Sequence, residues 1–421
     1  MKLTFFYRDT YGSGGVPNEM ASLYQALSQK IELTVWGKHG EHHLDNLPGC
    51  QLHTFDSLID LATVFPKWLE AHRPDYIVVV GYFLTENLPV VYWARQHQIP
   101  VILYPLAQLM DEVFRGKIFT ADPDVRRLEA AGSAQQSWVE QLKIVMNPLL
   151  KQLYSMTAGA WLMGNVAKVA VFSGEEQRQA NSRYSDAEFM FLRWGVDEAT
   201  GVTDTRHFFR EVSSNLSQDD NRLNYVYWGR LDWYYKGIDR LLNGVAAAKK
   251  RNKATVLPFR VFLIGPDYRG GSEKAKEFIQ RFHLEEDVIL MLPGSYEAGS
   301  KTPLRDADAS IYLSRWDGYP RTLRESILLQ VPILISRETH FLDIAEKTGC
   351  GMPLMDADDP NEVAEALLAL VDAKHRQHLK EQAGVAAPEL TWGAVAKAFL
   401  KELVSDGLHQ IPQSSEEHVA V

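Results

Sequence analysis

Short runs of consecutive apolar residues alternate with longer stretches in which apolar positions return every three to four residues, almost from one end of the chain to the other. The short runs at 3–7, 32–36, 76–80, 101–104 and 169–172 predict strands, and the amphipathic stretches at 18–29, 57–72 and 86–98 predict helices between them. Ile77-Val78-Val79-Val80 has no polar position to offer solvent, so this strand needs cover on both faces, as in a parallel sheet. The same alternation restarts at residue 225. Strands are predicted at 225–228, 259–264, 288–292, 310–314 and 332–336, and helices at 237–250, 272–282, 322–330 and 360–370. Two series of this kind read as two doubly wound α/β domains.

The polar stretch 211–224, with its Ser, Asn and Asp breakers, is the predicted linker. The expected layout is therefore a first domain at 1–205 and a second at 222–390. Trp392 opens a last helix within 391–404, and a frayed polar tail follows at 405–421. Ligands of such sheets lie beyond the carboxyl ends of the strands, and two domains facing across a cleft would share one site.

Composition narrows the function classes. With 46% hydrophobic and 23% charged residues over 421 positions, the chain is long enough for two cores and is not a disordered protein. A net charge of −10 excludes the broad basic field that nucleic acid requires. Its two cysteines, Cys50 and Cys350, sit far apart without a Cys/His cluster, which fits a reducing cytoplasm and argues against a structural zinc site. The opening apolar run is too short for a signal peptide, and no stretch reaches the ~18 apolar residues of a spanning helix. Residues 113–168 are rich in large apolar side chains, among them Phe114, Phe119, Trp138, Met146, Tyr154, Met156, Trp161 and Met163. They read either as extra core helices or as a surface that covers an acceptor or rests on a membrane.

Three segments could carry chemistry. Gly12, Gly14 and Gly15 lie between the first strand and the first helix, where bare backbone amides can approach an anion. Their spacing fits neither the dinucleotide nor the P-loop pattern. Gly229 ends a strand, Arg230 follows it, and Lys236-Gly237 precedes the next helix, so two cations lie at one sheet edge, suited to a diphosphate. The third segment, Arg315 to Glu325, sets Asp317 in a loop and Glu325 in a helix, with the free amides of Arg321, Thr322 and Leu323 between them. That combination suits a sugar joined to a phosphate.

Together these segments resemble the retaining GT-B glycosyltransferases of the family-4 type, most strongly over 225–372. The acid-x7-Glu signature is present as Asp317 and Glu325, the Gly-Arg-Leu…Lys-Gly element as Gly229 to Leu231 with Lys236 and Gly237, and the glycine loop as Gly12, Gly14 and Gly15. The resemblance implies that Arg230 and Lys236 hold the donor's diphosphate with the Gly14 and Gly15 backbone. It further implies that Glu325 binds the ribose, that Asp317 binds the transferred sugar near the amides of Arg321, Thr322 and Leu323, and that the stretch 291–294, including Leu292, meets the base. A nucleotide diphosphate sugar is then the donor substrate, and no further cofactor or metal is needed. The acceptor would be a glycan or lipid-linked glycan, with peripheral contact at the inner face of a membrane. Two departures stand out. The strand at 101–104 brings no His, so that either Tyr104 or a residue such as Gln108 fills its place or the group is absent, and the first acid of the signature is Asp where Glu is usual.

Three other motifs read as structure. Asp306 and Asp308 precede a strand, Asp356 to Asp359 caps the helix at 360–370, and His39, His42 and His43 form a polar loop. Two alternatives stay open beside glycosyl transfer: a nucleotide-sugar epimerase of the same fold, and a non-catalytic subunit that binds sugar or protein.

Overall fold

The structure, a computed structural model, describes residues 1–9, 15–38, 47–82, 84–106, 153–197, 208–209, 221–252, 256–293 and 302–405. The chain divides into two compact units, Met1–Trp194 with Trp392–Val421, and Gly195–Thr391.

In the first unit seven strands form one parallel sheet: β1 (Lys2–Phe6), β2 (Glu32–Lys38), β3 (Cys50–Phe55), β4 (Tyr76–Val80), β5 (Val101–Tyr104), β6 (Lys168–Val171) and β7 (Phe189–Phe191). Their order is β3-β2-β1-β4-β5-β6-β7, with Phe5 of β1 in register with Val35 on one side and Val78 on the other. Every residue of β4 is buried, as its uninterrupted apolar run requires. On one face the rings of Phe6, Trp36, Phe55, Phe65 and Trp68 pack as a cluster, with Trp36 edge-on to Phe65 at 5.1 Å. The helix Leu58–His72 contributes Phe65 and Trp68 to it. That helix starts at Ser57 because the hydroxyl accepts the Asp60 amide, and it stops at Arg73, whose φ of 42° is left-handed. The last helix, Trp392–Ser405, is part of this unit: it packs on the helix Gly15–Ser28, and the Tyr76 hydroxyl donates to the Leu403 carbonyl.

Of the apolar-rich segment 113–168, residues 113–152 lie outside the described residues, and Phe114, Phe119, Trp138 and Met146 with them. The described remainder splits in two. Leu162 and Met163 of the helix Ala158–Gly164 enter the core, while Met156 and Trp161 are exposed. Among the described residues no helix is long and apolar enough to cross a membrane.

The second unit holds β8 (Leu223–Trp228), β9 (Leu231–Asp232), β10 (Phe259–Ile264), β11 (Asp267–Tyr268), β12 (Val288–Met291), β13 (Ala309–Tyr312), β14 (Ile333–Ser336) and β15 (Gly351–Leu354). Six of them make a parallel sheet in the order β12-β10-β8-β13-β14-β15, and β9 and β11 form a two-residue ladder beside it. The predicted linker is corrected at its end: Leu223 and Asn224 belong to β8, whose burial continues inward to Tyr225 and Val226. Residues 211–220 lie outside the described residues. The sheet grows outward in both directions from β8 and β13, so these neighbours mark the switch point where an α/β sheet opens a crevice at its carboxyl edge.

Candidate functional site

The loops after β8 and β13 carry most of the residues singled out above. Behind Gly229 the backbone is fixed from below, because the buried Tyr227 hydroxyl donates to the Arg230 carbonyl at 2.6 Å. The Arg230 guanidinium is left exposed, stacked over the Tyr268 ring at 4.4 Å. The chain then pairs through β9 and turns back at Gly237, with φ +67°. A Cβ at this position would lie 2.0 Å from the Leu313 carbonyl oxygen. Glycine after Lys236 is therefore what lets the lysine loop lie against the end of β13.

From that loop the Lys236 ammonium donates to the Asp317 carboxylate. Both side chains are largely withdrawn from solvent, at 21% and 16% exposure. Asp317 is held by its own backbone as well: it bridges to Thr339, and its carbonyl accepts the His340 amide at 3.1 Å. Three residues on, Pro320 starts the helix Arg321–Leu328 without a side-chain cap, so the amides of Thr322 and Leu323 lie in its first turn. Glu325, one turn further, is buried and accepts the Arg321 guanidinium at 3.0 Å. Leu292 follows β12 and is half-buried, next to the Met291 carbonyl that accepts the Gly265 amide.

Two buried tyrosines register how closely these groups gather. Burial pushes the Tyr227 hydroxyl far up, and the Asp317 and Asp232 charges add to the rise while Arg230 opposes it. Burial likewise raises Tyr312, which is hydrogen-bonded with Thr322 and feels Glu325 and Asp317. Asp317 thus acts on both phenols at the ends of β8 and β13, Arg230 on the first, and Thr322 and Glu325 on the second.

The sequence reading missed what stands behind this edge. The Arg315 guanidinium forks onto both oxygens of Asp239 at 2.8 Å, reaches Asp358 at 2.8 Å and the Tyr234 carbonyl at 2.7 Å, and lies 4.0 Å over the Tyr234 ring. Arg240, with only 3% of its side chain exposed, forks onto Asp358 at 2.8 and 2.6 Å and meets Glu338 at 3.1 Å. Asp358 therefore does more than the helix cap assigned to its segment. Asp359 alone caps the helix Pro360–Ala369, while Asp358 joins the two arginines, which hold its carboxyl down at about 2. Burial pushes the Asp239 carboxyl up, against the pull of Arg315. This network ties the lysine loop, the Asp317 loop and the 338–340 turn to one another.

Other expected groups fall elsewhere. Gly12 and Gly14 lie outside the described residues, as do His39, His42, His43 and Gln108, while Gly15 is the first residue of a helix in the other unit. Tyr104 is fully buried with its ring edge-on to Phe172 at 5.4 Å. Asp306 accepts the Phe208 amide and Asp308 the Asn224 amide, both at 2.8 Å, which commits these carboxylates to holding backbone. Among the described residues no cluster of His, Cys, Asp and Glu could hold a metal ion.

Residues 209–385 match the family model described as glycosyl transferases group 1. No curated protein sequence matches the chain. Among solved structures, WaaG, a glycosyltransferase involved in lipopolysaccharide biosynthesis, superposes with a TM-score of 0.59 at 12% identity, over 98% of this chain and 100% of its own. HepE of Anabaena, solved in complex with UDP and glucose, gives 0.62 at 14%, over 96% and 100%. Sucrose-phosphate synthase from Thermosynechococcus elongatus gives 0.66 at 14%, over 97% and 100%. The fold is that of these neighbours, the GT-B architecture, and the region 209–385 carries the glycosyl transferases group 1 match.

Proposed function

We propose that the protein is a retaining, metal-independent glycosyltransferase. It moves a hexose or N-acetylhexosamine from a nucleotide diphosphate sugar to a carbohydrate or lipid-linked glycan, in polysaccharide or glycoconjugate assembly, in the cytoplasm and in peripheral contact with the inner face of a membrane. The observation that carries this reading is the gathering of Arg230, Lys236, Asp317 and Glu325 around the switch point of one sheet. Breaking the sugar–phosphate bond builds negative charge on the leaving oxygen while the sugar becomes oxocarbenium-like. Arg230 and Lys236 stabilise that charge, and the uncapped helix amides of Arg321, Thr322 and Leu323 face the same anion. Asp317 and Glu325 accept hydroxyls of the sugar and the ribose. The leaving phosphate takes the acceptor's proton, so neither a protein base nor a metal is needed on this route.

The test is a thermal-shift series with UDP, GDP and ADP, each with and without chelator, followed by hydrolysis of the matching nucleotide hexose watched by NMR. One nucleoside diphosphate should raise the melting temperature by mass action, unaffected by chelator. The released sugar should keep its anomeric configuration. Inversion would end the retaining assignment, an epimerised nucleotide sugar would replace transfer with epimerisation, and no turnover of any donor would point to a binding subunit.

A further inference from the structure

The two cations of the donor edge are not equivalent. Arg230 has no carboxylate partner among the described residues and rests exposed on Tyr268, ready for a phosphate. Lys236 is already engaged, by the acid that the proposed function assigns to the transferred sugar. The engagement is built in from both sides. Gly237 fixes the lysine loop against Leu313, the Arg315 fork fixes the same loop through Tyr234 and Asp239, and the Thr339 bridge with the His340 amide fixes Asp317. Such a pair is pre-organised and partly desolvated, unlike the mobile surface pairs that contribute next to nothing.

Resting on the proposed function, we infer that Asp317 discriminates the intact donor from the spent nucleotide by competing with the diphosphate for Lys236. With the donor bound, the hexose hydroxyls occupy the Asp317 carboxylate and Lys236 turns to the phosphates. After transfer the hydroxyls leave with the acceptor. Asp317 then has no ligand but Lys236, and the diphosphate holds the lysine only against that rival. The nucleoside diphosphate is thereby bound more weakly than two fixed cations alone would bind it, which favours its release. An acid placed only to hold a sugar would have no effect on a nucleotide that lacks one.

The experiment is isothermal titration of UDP, with GDP and ADP in parallel, into the full-length wild type, Asp317→Asn, Lys236→Ala and the double variant. Asp317→Asn keeps the side chain's shape and removes the charge. It should bind the preferred diphosphate roughly tenfold more tightly than the wild type, the low end for one competing hydrogen bond between charged groups. In the Lys236→Ala background the same substitution should change nothing, since the contested cation is gone. Asp317→Ser, shorter and also neutral, should reproduce the tightening and guards against a folding defect particular to Asn. Unchanged or weaker diphosphate binding by both neutral variants would overturn the inference while leaving the donor site intact. Tightening that persists without Lys236 would overturn it as well. Failure of the wild type to bind any of the three diphosphates would overturn the underlying reading, and this inference with it.

Discussion

The two units share a topology and treat the same edge of it in opposite ways. In each, the sheet order reverses beside its first strand, at β1 and β4 in one unit and at β8 and β13 in the other. At the first edge the chain presents phenols. Tyr82, Tyr154 and Tyr184 bond to one another through Tyr82, and burial raises Tyr7 and Tyr154 to about 12, so these groups act as neutral hydrogen-bonding partners. The charges there include the Arg8–Asp9 contact at 2.7 Å, Glu86 at 3.5 Å from Arg8, and Arg183, whose guanidinium lies 5.8 Å over the Tyr184 ring. At the second edge Arg230, Lys236 and Asp317 stand in front of a network of Arg240, Arg315, Asp239, Glu338 and Asp358. Strand order thus sets where a ligand goes, and the loops decide whether the place suits a neutral or a charged one.

If the charged edge owes its geometry to the network behind it, removing one member should cost more than the lost contact. Arg315→Ala leaves Asp239, only 17% exposed, without its fork. The expected loss is about 3 kcal/mol, the low end for breaking a buried pair, since solvent can reach part of Asp239 once the arginine is gone. Denaturant midpoints would read it. A change within about 0.5 kcal/mol would mean that the network is surface decoration. Arg315→Lys restores charge without the planar fork and should recover only part of the loss.

The next effect concerns rate alone. Arg230 is exposed and its stacking partner stays in place without it, so Arg230→Ala should leave the unfolding midpoint unchanged. Turnover of the nucleotide sugar should fall roughly 10²-fold, the scale of one lost donor to a developing anion. Near-normal turnover would remove Arg230 from the phosphate and shift the burden to Lys236. The comparison sharpens with Arg8→Ala in the other unit, where the expected change in diphosphate affinity is nil.

Much of this was legible before any coordinates, for identifiable reasons. β4 and β5 fall at the expected residues because strands buried on both faces are apolar throughout, and β10 does so with Arg260 as its one charged residue. β3 was missed because Gln51, His53 and Thr54 interrupt its apolar positions, and β15 because Gly351 and Pro353 read as turn. Arg230, Lys236 and Asp317 were singled out because each lies in a loop that follows a predicted strand, and Glu325 because it lies in the helix after the Asp317 loop. The pairing of Lys236 with Asp317 and the Arg240–Asp358 fork, 118 residues apart in the chain, had no local signal. Contacts of that kind follow from which strands become neighbours, which spacing does not encode.

The smallest effect tests the network through acid. Asp358 sits at about 2 in the fold because Arg240 hydrogen-bonds it and both arginines attract it, against an ordinary value near 3.9 unfolded. A carboxyl depressed by folding stabilises the native state above the unfolded pKa, and that contribution disappears as pH falls through the folded one. Asp358 should therefore contribute fully above about pH 4 and lose its contribution between there and pH 2. Asp239 runs the other way, since burial raises it and protonation relieves part of its cost. The wild-type acid limb mixes the two, so the informative quantity is the difference between the wild type and Asp358→Asn. That difference should be largest at neutral pH and should shrink toward zero at pH 2. Because more than half of the Asp358 side chain is exposed, solvent screens the pair and the difference will be modest. A gap that stays constant across the range would mean that Asp358 acts through the shape of its turn and not through its charge, and the electrostatic half of the contrast between the two edges would lose its anchor.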